Sequence, residues 1–196
     1  MYRVFAVIPK ESFGSNTYYV TDGEESFLVD PSVGVDAVRR EIGADFIPPR
    51  AILLTHGHFD HVEALPEWFS AFSPKVYIGE ADAPMLSNAS LNAYRFFYGE
   101  DRTYLVPHET LREGDELSLC GAPVSVLSVP GHSPGSLIYL LPNLAFVGDL
   151  IFAGGGYGRF DLPGGDYVAL VSSLRRVQRL CGGIMLYPGH GEAFKL

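Results

Sequence analysis

The chain has 196 residues, 47% of them hydrophobic, 13% aromatic and 19% charged, enough for one domain spanning 1–196 with a sizeable core and too apolar for large-scale disorder. A formal charge of −9 argues against a nucleic-acid groove or an anionic membrane as partner, since both select clustered Lys and Arg. No apolar run approaches the ~20 residues of a membrane-spanning helix. The stretch from Met1 to Lys10 lacks a secretory pattern, and Cys120 and Cys181 read as reduced thiols, so a cytoplasmic location is expected.

In chain order, Arg3–Ile8, Asn16–Val20 and Ser26–Val29 are short apolar or β-branched runs separated by Gly, Asp and Ser, the signature of strands. Val33–Ile42 has helical spacing through Val35, Val38 and Ile42, and Ala51–Leu54 is a fully apolar strand. A helix is predicted from about Val62 to Phe72, with Val62, Leu65, Phe69 and Phe72 on one face and Pro66 in its first turn. Val76–Ile78 reads as a strand.

The stretch Asn88–Tyr104 breaks this alternation. Its Tyr94, Phe96, Phe97, Tyr98 and Tyr104 read either as a lid or substrate wall, or as core packing or a subunit contact. Beyond it, Glu116–Leu119, Pro123–Val129, Ser136–Leu141 and Leu144–Val147 are predicted strands. Asp166 is a natural N-cap for a helix from Tyr167 to about Leu180, with Val168, Val171, Leu174 and Val177 as the expected buried face. Ile184–Tyr187 is the last predicted strand. Strands followed by helices in both halves indicate an α/β layered domain.

The chemistry concentrates at strand exits. Thr55-His56-Gly57-His58-Phe59-Asp60-His61 puts four metal-ligating side chains into a loop between an apolar strand and a helix, where they can converge from several directions. His132 in Pro130-Gly131-His132, Asp149 in Val147-Gly148-Asp149 and His190 in Pro188-Gly189-His190 each follow another predicted strand. The glycine in both Pro-Gly-His triplets is expected to let the backbone turn sharply. Imidazole and carboxylate donors without thiolates favour zinc, then iron or manganese. Seven donors exceed what one four- or five-coordinate ion takes and suit two divalent ions sharing a carboxylate. His108 lies outside every motif.

This ordered series, His-x-His-x-Asp-His, Pro-Gly-His, Gly-Asp and Gly-His, resembles the metallo-β-lactamase superfamily along nearly the whole chain. The resemblance implies an αββα sandwich with the metal site at the edge of two sheets. It also implies that His56, His58 and His132 hold one ion, that Asp60, His61 and His190 hold a second, and that Asp149 bridges them. Val29-Asp30-Pro31 is similar to the family's structural Asp-Pro turn, with Ser32 where glycine is usual.

Two ions can bring a bridging water to a near-neutral pKa, with Asp60 orienting the resulting hydroxide, and a thioester suits such a site because its leaving group needs no strong acid. The stretch Gly158-Arg159-Phe160-Asp161, then Pro163-Gly164-Gly165 before Asp166, looks like the short glyoxalase-II-like hydrolases. Full-length glyoxalase II carries a further C-terminal helical domain, whereas this sequence ends six residues after His190. The expected substrate is therefore a small thiol ester such as a hydroxyacylglutathione, with no nucleic-acid or membrane partner and the oligomeric state open. Arg159 and Tyr157 could contact an anionic substrate, or Arg159 could brace its loop through Asp161. The rival readings are a glutathione persulfide dioxygenase, with one iron on His56, His132 and Asp149, and a non-enzymatic metal-binding domain.

Overall fold

A computed structural model of the protein describes residues 2–9 and 14–196. The first sheet opens as a meander: β1 (Arg3–Val7), β2 (Thr17–Thr21) and β3 (Ser26–Val29) pair antiparallel. Helix α1 (Val35–Ile42) then carries the chain to β4 (Ala51–Leu53), parallel to β3. Helices α2 (Phe59–Val62) and α3 (Leu65–Phe72) precede β5 (Lys75–Gly79), and α4 (Tyr94–Tyr98) precedes β6 (Glu109–Leu111), both strands adding in parallel. The six strands lie in sequence order.

The second sheet is built from β7 (Glu116–Leu119), β8 (Ala122–Ser128), β9 (Leu137–Leu141) and β10 (Leu144–Gly148), all antiparallel. Helix α5 (Tyr167–Leu180) crosses back so that β11 (Met185–Pro188) lies parallel to β10, and β12 (Phe194–Lys195) forms the edge.

Side-chain alternation explains the layering. Along β2 to β4, Tyr18, Val20, Phe27, Val29, Ala51 and Leu53 point to a core that also takes Val124, Val126, Leu137, Tyr139 and Phe146 from the second sheet. Their neighbours Tyr19, Leu28, Ile52 and Leu54 point the other way, onto α1 and α3. Ile138, Ala145 and Val147 face α5. Strands buried on both faces read as unbroken apolar runs for this reason. The result is the expected αββα sandwich.

The predicted helix over Val62–Phe72 is in fact two, broken at Glu63–Ala64. The fully buried side chain of α3 besides Leu65 is Trp68, while Phe69 and Phe72 pack only in part. Trp68 Nε1 donates to the Val33 carbonyl at 2.8 Å, so its indole is satisfied as well as enclosed. Trp68→Ala is expected to cost roughly 3–5 kcal/mol of unfolding free energy, read from denaturant melts. A loss below about 1 kcal/mol would contradict its place in the core.

The predicted face of α5 is also rotated. Leu170, Ser173 and Val177 are buried, with Leu174 partly so, whereas Val168 is 78% exposed. Ser173 donates to the Pro130 carbonyl at 2.8 Å, which lets a polar residue hold an inward position. Asp166 caps the helix as expected, accepting from the amides of Val168 and Ala169. Both cysteines are free and buried. Among the described residues no helix is long and apolar enough to cross a membrane.

Candidate metal centre

All seven sequence-predicted residues come together along one edge of the sandwich. The loop after β4 supplies His56 and His58, α2 supplies Asp60 and His61, and the exits of β8, β10 and β11 supply His132, Asp149 and His190. Ligand-type atoms of His56, His58 and His132 lie within 4.8 Å of one another, as do those of Asp60, His61 and His190, and of His56, His61 and Asp149. Asp149 stands between the two outer groups: its Oδ1 is 3.3 Å from His61 Nε2, and its Oδ2 is 3.7 Å from His132 Nε2 and 3.6 Å from His190 Nε2.

The hydrogen bonds behind the rings fix which nitrogen faces inward. His132 Nδ1 lies 2.6 Å from the Arg159 carbonyl, which can only accept, so this nitrogen carries the proton and Nε2 presents a lone pair. Thr55 Oγ1 donates to Asp30 Oδ2 at 2.6 Å, leaving it to accept from His56 Nδ1 at 3.1 Å, so His56 Nε2 also presents a lone pair. His61 Nδ1 donates to Asp30 Oδ2 at 2.8 Å.

Two consequences follow. His56 Nε2 and His132 Nε2 face each other at 3.1 Å, with His58 Nδ1 2.9 Å from the latter. Lone pairs so placed repel unless a cation lies between them, and two nitrogens bound to one zinc sit about 3.3 Å apart. In addition, the buried His61 Nε2 and Asp149 Oδ1 make no well-aligned hydrogen bond among the described residues and meet each other only as an ion pair at 3.3 Å. Buried polar atoms left unmatched are costly and rare. The donor set therefore fits divalent ions.

Electrostatics reinforce this reading. Burial holds His56 well below the usual imidazole range and takes His58 down to about 3, so both stay neutral and able to donate a lone pair. Burial also acts to raise the pKa of Asp60, but His61 and the His190 hydrogen bond outweigh it and the carboxyl lies below its ordinary range. His61, which burial would lower, is held well above its usual value by Asp149, Asp60 and Asp30, and His190 is raised by Asp60 and Asp149. In the metal-free protein positive charge is thus drawn to the second cluster.

Beside the site lies a cleft of about 340 Å³, walled by Phe59, Ala93, Phe97, Phe152, Leu162 and Arg159. The aromatic stretch has two fates. Tyr104 is buried and donates to Glu63 at 2.8 Å, while α4 carries Phe97 to the cleft and leaves Phe96 63% exposed. Arg159 braces its own loop through a bidentate pair with Asp161 at 2.7 and 2.8 Å, and its guanidinium lies 5.3 and 5.6 Å from the Phe96 and Phe97 rings. Tyr157 does not line the cleft, and His108 is exposed outside the cluster.

Sequence reading treated Asp30 only as a turn. The structure makes it the partner of both His61 and Thr55, at a backbone φ of 51° that few non-glycine residues adopt. An Asp closing an apolar strand before a proline was a signal for it. The Arg159 carbonyl had none.

The metallo-beta-lactamase superfamily, as a described family, matches residues 12–190. The probable metallo-hydrolase YqgX of Bacillus subtilis is 34% identical over 94% of this chain and 88% of its own length. The hydroxyacylglutathione hydrolase GloC of Haemophilus influenzae is 32% identical over 95% and 90%. Among solved structures, the BLEG-1 B3 metallo-beta-lactamase superposes with a TM-score of 0.88 at 31% identity, over 99% of this chain and 93% of that one. TTHA1623 in a di-iron-bound form gives 0.85 at 35%, over 98% and 94%. With two imidazole–carboxylate clusters on a matching fold, the chain belongs to the metallo-β-lactamase superfamily.

Proposed function

We propose that the protein is a metal-dependent hydrolase of thioesters, with a hydroxyacylglutathione as the first class to test. The observation that carries this reading is the pair of adjoining donor clusters beside a cleft walled mainly by apolar side chains. Two divalent ions bound there would activate a water at near-neutral pH and polarise an acyl carbonyl. Zinc is the expected ion from the donor chemistry. The di-iron form of a 35%-identical relative keeps iron in play, with manganese as a further candidate.

In this reading His56, His58 and His132 would hold one ion, Asp60, His61 and His190 would hold the other, and Asp149 would serve both. The remaining work falls to the chain. The Arg159 carbonyl, Thr55 and Asp30 keep three imidazoles in the tautomer that turns a lone pair inward. Asp60, ionised and 3.2 Å from His190 Nε2, accepts a hydrogen bond from the attacking water and so aims it. Phe59, Phe97, Phe152 and Leu162 exclude bulk water from the reacting carbonyl.

Among the described residues, the cleft's polar side chains besides the candidate ligands reduce to Arg159, already paired with Asp161. A thiolate suits such a lining, because it departs without being protonated. The similarity to GloC supports the same substrate class.

Elemental analysis should find two ions per chain, and the same sample should release thiol from S-lactoylglutathione. One iron per chain, with oxygen uptake on glutathione persulfide and no thiol release, would overturn the proposal in favour of a dioxygenase. Asp60→Asn is expected to lower kcat about 10²-fold, as loss of a proton-handling group typically does. Unchanged kcat would remove Asp60 from the mechanism.

A further inference from the structure

We propose that Asp82, outside the candidate ligand set, is the positioning residue of the His56–His58–His132 cluster. Its buried carboxylate locks together the two loops that carry these imidazoles and thereby sets that cluster's affinity for a divalent ion. The proposal rests on the ligand assignment above and holds whatever the reaction.

Asp82 lies beyond the end of β5, entirely buried. Its own backbone is pinned on both sides: its amide donates to the Gly79 carbonyl and its carbonyl accepts from the Met85 amide, each at 2.9 Å. A side chain leaving so fixed a point can act as a strut.

The carboxylate is shared between the two loops. Oδ1 accepts from the Gly135 amide at 2.6 Å. Oδ2 accepts from the Ser133 hydroxyl at 2.6 Å and from the Gly57 amide at 3.3 Å. Gly57 lies between His56 and His58, and Ser133 directly follows His132. Ser133 Oγ also lies 2.6 Å from Ser136 Oγ, which accepts from the Ser133 amide at 3.3 Å and so stiffens the second loop. Behind the loops, β4 and β9 are joined by the Leu137 amide to the Thr55 carbonyl and by the Tyr139 hydroxyl to the Leu54 carbonyl. Among the described residues, and apart from the imidazoles' own contacts, Asp82 ties the loop portions themselves.

Loop closure of this kind bears on affinity because an ion between His56 and His132 needs both rings held against their mutual repulsion. Outer partners of metal ligands typically change affinity by about 10–100-fold when removed. The role is specific to one cluster, since Asp60, His61 and His190 take their support from Asp30 and from the exit of β11. Were the carboxylate kept only to satisfy stray amides, its loss would lower stability and leave the two ions equally bound.

The amide of Asp82→Asn keeps the acceptor for Gly135 but turns an N–H toward the Gly57 N–H, so two donors oppose each other. The full-length protein, zinc-loaded and titrated with a chromophoric chelator, should show one ion bound about 10-fold more weakly in D82N and about 100-fold more weakly in D82A. The other ion should stay within about twofold of wild type. Ser133→Ala, which removes one donor and leaves the carboxylate, should weaken the same ion about threefold. Thermal melts of the metal-free proteins run in parallel. If D82A does not fold, the isosteric D82N and S133A carry the test. Two ions held as tightly as in wild type, or both weakened equally, would overturn the positioning role whatever the melts show. Wild-type protein that binds no zinc would sink the ligand assignment and this role with it.

Discussion

Asp149→Ala is expected to abolish retention of both ions and to lower activity by on the order of 10⁴-fold, the largest single-residue effect in the protein. The carboxylate lies between the two clusters, 3.3 Å from His61, 3.6 Å from His190 and 3.7 Å from His132. Side chains from three separate strand exits therefore meet at one anion. Its Oδ1 is buried with no well-aligned hydrogen bond among the described residues, and the charge of His61 at 3.3 Å is what chiefly opposes its cost of burial. Burial would raise its pKa, yet the surrounding imidazoles hold it far below the ordinary carboxylate range. Removing it takes away the anion that balances two dications, without breaking a hydrogen bond that holds the fold. The metal-free variant should accordingly keep the near-ultraviolet circular dichroism of the metal-free wild type while elemental analysis finds it empty. A variant that retained two ions and full activity would refute the bridging role.

What was legible in the sequence follows from how local each signal is. His56, His58, Asp60 and His61 lie in one loop, and His132, Asp149 and His190 each follow a strand announced by its own apolar run, so position along the chain implied position at the sheet edge. The core strands could be read for the same reason. The helix faces were less secure. In α5 the valines at 168 and 171 suggest a buried stripe, but Leu170 and Ser173 are the residues that pack beside the Pro130–Gly131 turn. That turn comes from another part of the chain and no periodicity reports it. Asp30 and Asp82 were missed as functional residues because their partners are remote. Asp30 meets His61 across 31 positions, and Asp82 meets Ser133 and Gly135 across 51 and 53. A single buried carboxylate carries no pattern until the fold closes around it. Arg159 shows the converse: its side chain attracted notice, while its backbone carbonyl is what touches His132.

Gly189→Ala is expected to lower activity by about 10³-fold although it adds only one methyl group, to a residue outside the candidate ligand set. The two Pro-Gly-His triplets look alike in sequence, and a sharp turn is the natural reading of both glycines. At Gly131 the reading holds: its φ of 136° lies where side chains are disfavoured, and a Cβ there would stand 2.2 Å from the Leu170 amide nitrogen. Gly189 does not share that positive φ. Its constraint is close approach. A Cβ would lie 2.1 Å from Asp149 Oδ1 and 2.6 Å from His61 Cε1, well inside contact distance. The backbone cannot retreat freely, because the Gly189 amide donates to the Gly148 carbonyl at 2.8 Å and its carbonyl accepts from the Asn16 amide at 2.7 Å. Asn16 Nδ2 further holds the Pro188 and Gly191 carbonyls. The methyl must therefore push Asp149 and His61, and a displacement near 1 Å of one reacting group already costs about 10². Because the strain falls on the clusters and not on the core, the expected signature is weakened zinc binding at nearly unchanged metal-free stability. An alanine variant with wild-type zinc affinity and turnover would show that the loop after β11 yields where these hydrogen bonds say it is held.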